Sequence, residues 1–121
     1  MIQSYRELTV WKKAMDLVVE SYRLARLLPK NETYGLASQI QRAAVSIPAN
    51  IAEGYGREHR GDYVHHLSIA NGSLKELETH FLITERLSYI ATKDLEPFFL
   101  LSEEEGRMLH VLVKKLKIPT S

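Results

Sequence analysis

The chain has 121 residues, 45% hydrophobic and 26% charged, with a formal net charge of +1 and no cysteine. That size suits one domain around one core, and the missing cysteines exclude disulfides and thiolate metal sites. No apolar run reaches bilayer-spanning length, and the start, MIQSYRELTVWKK, lacks the apolar stretch of a signal peptide, so a cytoplasmic location is expected.

The first helix is predicted over 9–28. Trp11, Met15, Val18, Tyr22 and Ala25 recur at the steps of one helical face, and Val10, Ala14, Leu17, Leu24 and Leu28 form a second stripe beside it. Thr9 is the expected N-cap, and Pro29 stops the helix before a PKNET connection. The second helix, 33–55, places Leu36, Ile40, Ala43, Ala44, Ile47 and Ile51 on one face. It ends at Gly54 and Gly56, where positive φ is expected. The third, 61–90, has the cleanest seam: Tyr63, Leu67, Ala70, Leu74, Leu77 and Phe81 alternate steps of four and three. Asp62 at its start complements the helix dipole. The fourth, 93–117, carries Leu95, Phe98, Phe99, Leu109, Leu112, Val113 and Leu116, with Pro97 in its early turns, Gly106 in its middle and Pro119 after its end. No segment shows the two-residue alternation of a half-buried strand. The pattern predicts an all-α, up-and-down four-helix bundle with a proline-kinked second helix, as one domain over 1–121.

The stretch SIPANIAEG, 46–54, carries the unusual residues. Pro48 removes an amide donor and crowds the carbonyl of Ala44, which predicts a bend, and the Ser46 hydroxyl is placed to bond a nearby carbonyl. Asn50 and Glu53 lie three residues apart on one side. As a reaction centre, Glu53 would be a general acid or base with Asn50 orienting a substrate, but no second titratable partner is evident. As architecture, both would hydrogen-bond backbone or an arginine of a neighbouring helix and fix register. The second alternative fits better, because buried polar groups at kinks need partners more often than they do chemistry.

Other chemistry is sparse. The Glu-x-x-His pairs of di-iron bundles do not occur. His66 and His80 share a face of the third helix, with Glu76 one turn before His80, but a metal there would need ligands from another helix. GYGREHRG, 54–61, lacks the strand and Lys-Ser/Thr of a phosphate-binding loop and reads as a turn, although Arg57, His59 and Arg60 could hold a phosphate. Residues 1–30 hold six Lys/Arg against three Asp/Glu, and 61–90 hold two against four. Candidate nucleic-acid contacts are Arg6, Lys12, Lys13, Arg23, Arg26, Arg42, Arg57, Arg60, Lys114, Lys115 and Lys117. Each alternatively serves as a solvated helix-face charge, as Lys12 does if it offsets Asp16. No aromatic platform for splayed bases is evident, so any RNA or DNA binding should be sequence-tolerant.

YRELTVWKKAMDLV, YGLASQIQRAAVSIPANIAEG and LSIANGSLKELETHFLI together resemble the four-helix-bundle proteins encoded in intervening sequences of bacterial 23S rRNA genes, a family that includes the accessory variability determinant of diversity-generating retroelements. The resemblance runs from about Tyr5 to Leu116. It implies that Ser46, Pro48, Asn50, Glu53, Gly54, Gly72, Ser73 and Glu76 are fold residues, and that the molecule is a homopentameric ring. Asn71 stands where such proteins commonly carry a basic residue. The chain's own pattern also favours self-association, since FFLL at 98–101 cannot all face inward and Ala70, Gly72 and Ser73 permit close approach. Two roles follow: a non-enzymatic nucleic-acid or ribonucleoprotein accessory factor with no metal or cofactor, or a protein-interaction scaffold for a partner such as a reverse transcriptase.

Overall fold

A computed structural model describes residues 3–117. Helix α1 runs Thr9–Ala25, α2 Leu36–Tyr55, α3 Arg60–Arg86 and α4 Thr92–Lys117, with short 3-10 turns at Tyr5–Glu7 and Lys30–Glu32. The expected Pro119 stop lies outside the described residues. Among those described there is no strand, and no helix is long and apolar enough to cross a membrane.

Short links force each helix to run antiparallel to the one before. Ser73 meets Ser46 while His66 meets Asn50, and Ser102 meets Glu78 while Gly106 faces Leu74. Lys13 on α1 pairs with Glu104 on α4. Helix α1 packs on α2 and α4, and α3 packs on the same two, so α1 and α3 occupy opposite corners of an up-and-down four-helix bundle. The starts of α1 and α3 and the ends of α2 and α4 therefore share one end of the molecule, the lower end below.

One hydrophobic cluster fills the interior. The α2 and α3 faces lie where the periodicity puts them. On α1 the core stripe is Val10, Ala14, Leu17, Ser21 and Leu24, whereas Met15 on the first stripe is exposed. On α4 the stripe is Leu95, Phe98, Ser102, Glu105 and Leu109. It steps by three and four through two polar residues. Leu100 of the FFLL run is 70% exposed.

The helix ends differ from expectation in instructive ways. Thr9 is not the N-cap of α1: Leu8 is, its carbonyl accepting from Trp11 and Lys12, while Ser4 and Glu7 form a capping box on the preceding 3-10 turn. The helix proper stops at Ala25, with tighter backbone bonds carrying the chain to Leu28. Helix α2 starts at Leu36 because Glu32 Oε1 accepts from the Leu36 amide at 3.1 Å; its other oxygen accepts from the Tyr89 hydroxyl at 3.0 Å. A Cβ on Gly35 would stand 2.6 Å from that capping oxygen. Helix α3 stops at Arg86 and not at 90. Ser88 adopts φ 60°, and the Tyr89 amide reaches back to the Thr84 carbonyl, the closure that glycine usually provides. Neither Gly54 nor Gly56 has positive φ. Gly54 is needed for space, since a Cβ there would lie 2.8 Å from the Cβ of His66. Helix α2 is unbroken through Pro48, which is buried.

Glu105 is a fully buried carboxyl whose two oxygens have no hydrogen-bond partner. Burial pushes its pKa from 4.5 up to about 8; nearby Lys13 opposes the rise and Glu104 adds to it. The unfolded chain releases this proton near 4.5, whereas the folded protein holds it until about 8, so this group subtracts stability as pH climbs through that window. The melting temperature of the wild type should fall by roughly 4 °C or more across that interval relative to Glu105→Gln. Equal pH slopes for the two proteins in a calorimetric titration would contradict the assignment.

Candidate nucleic-acid interface

Two places compete as the functional site: the polar run of α2, and the cations at the lower end.

On α2, Asn50 Nδ2 donates to the Ser46 carbonyl at 2.9 Å and to Ser46 Oγ at 3.0 Å. Ser73 Oγ on α3 donates to Ser46 Oγ at 2.8 Å, and Asn50 Oδ1 lies 3.0 Å from His66 Nδ1. An amide oxygen only accepts, so Nδ1 of His66 carries the proton. These bonds tie α2 to α3 on both sides of Pro48. They leave the Asn50 amide fully engaged, with no free polar group of that residue to present to a substrate.

Glu53 departs from the expectation of a core group. It is exposed, pairs with Arg57 at 2.9 Å, and keeps Oε2 3.8 Å from His66 Nδ1. Gly72 is exposed on α3, and a Cβ there would meet nothing within 4 Å. Glu76 Oε2 sits 3.2 Å from Nε2 of the buried His80. The structure thus brings Ser46, Asn50, Gly54 and Ser73 to the α2–α3 seam, with Pro48 buried on α2 and Glu53 at the seam's exposed rim, and leaves Gly72 and Glu76 outside it. His66 and His80 face different partners, and among the described residues no group of three or more acidic or histidine side chains could hold a metal. His66 was legible only as half of a metal pair; its bond to Asn50, sixteen residues away, depends on how the helices dock.

The basic candidates separate cleanly. Up-and-down topology gathers Arg6, Lys12, Lys13, Arg57, Arg60, Lys114, Lys115 and Lys117 at the lower end. Arg23 and Arg26 lie at the opposite end of α1, and Arg42 lies in the second turn of α2, towards that end. Arg23 is bound to Glu20 at 3.0 Å. Of the lower-end group, Lys13 and Arg57 are neutralised by Glu104 and Glu53, and Arg6 lies 5.8 Å from the Tyr5 ring centroid. The Glu104 contact raises the Lys13 pKa and holds its charge. Lys12, Lys114, Lys115 and Lys117 are exposed and form no ion pair among the described residues. The three α4 lysines also complement the negative end of that helix dipole. An apolar cleft of about 410 Å³, with Lys115 in its lining, opens between the start of α1 and the end of α4. A larger groove of about 1000 Å³ follows α3 and α4, lined by Leu82, Phe99 and Val111 with His65 and His110.

The model of the 23S rRNA-intervening sequence protein family matches residues 6–111. The chain belongs to the 23S rRNA-intervening sequence protein family. A crystal structure of a protein with unknown function from the S23 ribosomal protein family, from Bacteroides thetaiotaomicron, is similar with a TM-score of 0.80 and 29% identity, over 88% of this chain and 99% of that one. No curated protein matches the chain.

Asn50→Ala should lower unfolding stability by about 1–3 kcal/mol, because it strips the His66 donor and Ser46 of their shared partner. Urea unfolding checks this: a loss within error of zero would mean that water replaces the amide without cost.

Proposed function

We propose that this protein is a non-enzymatic accessory factor that binds nucleic acid through the lower end of the bundle. The carrying observation is the convergence there of exposed, unpaired lysines from both ends of the sequence, Lys12 with Lys114, Lys115 and Lys117. Each phosphate contact releases condensed counterions, so affinity sums over contacts and falls with salt. The α2 polar run is engaged in holding two helices together, which supports the absence of a reaction centre.

A closed homo-oligomer, the pentamer of the resemblance, would multiply this modest field. Two apolar faces support such an assembly. Met15 and Val19 stand outward on α1, while on α3 Ile69 is exposed one turn before the open Gly72 position and Ile83 is exposed three turns after it. Those helices are on opposite corners, so the contact they favour is head-to-tail, the kind that closes into rings. The α3–α4 groove favours a second role, a scaffold that seats an apolar segment of a protein partner such as a reverse transcriptase.

Labelled RNA should bind weakly in fluorescence anisotropy, losing about tenfold or more in affinity between roughly 50 and 200 mM salt. Lys12→Glu and Lys115→Glu should each weaken binding several-fold, and Arg26→Glu at the far end should not. Loss of binding in Arg26→Glu alone would reject the lower-end interface, and no binding at low salt would leave the scaffold role. Light scattering at micromolar concentration should give a multiple of the 13.9 kDa chain mass, and Val19→Lys should reduce it. A monomer mass for the wild type would exclude the ring.

A further inference from the structure

We infer that the apolar cleft between the start of α1 and the end of α4 receives an unpaired nucleobase, which makes single-stranded nucleic acid the preferred partner over duplex. This rests on the lower-end binding proposed above and adds what binding through phosphates alone does not give.

The cleft is lined by Leu8, Val10, Met108, Val111 and Leu112, together with Thr9, Arg107 and Lys115. Its volume, about 410 Å³, is within the roughly 300–1,000 Å³ of small-molecule sites. No carboxylate belongs to the lining; of its two cations Arg107 pairs with Glu103 at 2.7 Å, while Lys115 forms no ion pair among the described residues, and one turn further along both helices Lys13 pairs with Glu104. Apolar walls beside positive charge suit a group that is flat and weakly polar yet attached to an anion. A base on its phosphate chain is such a group.

A peptide or second copy would gain the apolar contact but would leave Lys115 without a partner, unless it carried an acidic group at the matching position. Nucleic acid supplies anions at every residue. Bases in a duplex are paired and stacked, so their faces are unavailable; in single strands and loops they are free to pack against protein. Met108 adds a polarizable thioether, which packs favourably on aromatic edges without demanding one base identity. Sequence tolerance is therefore kept while strandedness is discriminated.

Anisotropy with a short labelled oligouridylate and a hairpin duplex RNA of equal charge tests this. The wild type should bind the single strand about tenfold more tightly than the duplex. Met108→Lys puts a charged side chain of similar length in place of an apolar wall of the cleft, so it should remove that preference and leave duplex affinity equal or higher. Lys115→Gln should weaken both. Equal wild-type affinities, or a preference that survives Met108→Lys, would overturn the cleft as a base site while leaving the phosphate contacts standing. Failure of both RNAs to bind would remove the nucleic-acid function itself, and this inference with it. A smaller assembly mass for Met108→Lys would assign the cleft to a second copy of the chain, which also overturns it.

Discussion

The close approach of α2 and α3 sets the geometry on which the rest of the bundle depends. Gly54 lies against the Cβ of His66 and the ring of Tyr63, with no room for even a methyl group. Ala43, Ala44 and Ala70 keep the buried faces of the two helices narrow. Two polar rungs, Ser46–Ser73 and Asn50–His66, then fix the register, because sliding by one residue would break both and bury their donors unpaired. Pro48 lies between the rungs. Its ring cannot give an amide to the Ala44 carbonyl, and the Asn50 side chain adds a donor to the turn below. Only four residues, 56–59, turn the chain between the pinned pair, so Arg57 and Arg60 lie at the same end of the bundle as the start of α1 and the end of α4.

The opposite seam, α1 against α4, is built less tightly. Glu105 is buried on α4 near Lys13 of α1 without hydrogen-bond partners, and the Lys13–Glu104 pair bridges the two helices at the surface. A carboxyl kept neutral by burial is tolerated, but it gives up stability that an apolar residue of similar shape would supply. The apolar cleft opens at the lower end of this same seam. The bundle thus has a firm side that fixes its shape and a second side that leaves a cleft open.

Much of this was legible in the sequence, for reasons that differ by helix. On α2 and α3 the buried positions are almost all aliphatic or aromatic, so their three- and four-residue steps are plain. On α1 two apolar stripes compete, and the one that is buried includes Ser21, which a count of apolar residues penalises. On α4 the core steps through Ser102 and Glu105, so the stripe between Phe98 and Leu109 vanishes from hydropathy although its spacing is regular. The end of α3 was overrun because Ser88 takes a left-handed conformation that the sequence would normally mark with glycine. Asn50 and Glu53 look like partners at a separation of three. Both approach Nδ1 of His66, Asn50 at 3.0 Å and Glu53 at 3.8 Å, but Asn50 is held in the seam whereas Glu53 stays at the exposed rim and meets Arg57. The cations were individually visible, but their convergence is a property of topology: Lys12 and Lys115 are about a hundred positions apart and share one end of the bundle only because α1 and α4 run in opposite directions.

The outward apolar patches on opposite corners carry a geometric consequence. Copies joined side by side through them, with rotation about an axis along the helices, would all point the same way. The resulting annulus would have two unlike mouths, one bearing Lys12, Lys114, Lys115 and Lys117 beside the apolar cleft, the other bearing Arg23, Arg26, Lys30 and Lys93. A strand passing through or around it would encounter a directional surface, so threading from one side would differ from threading from the other.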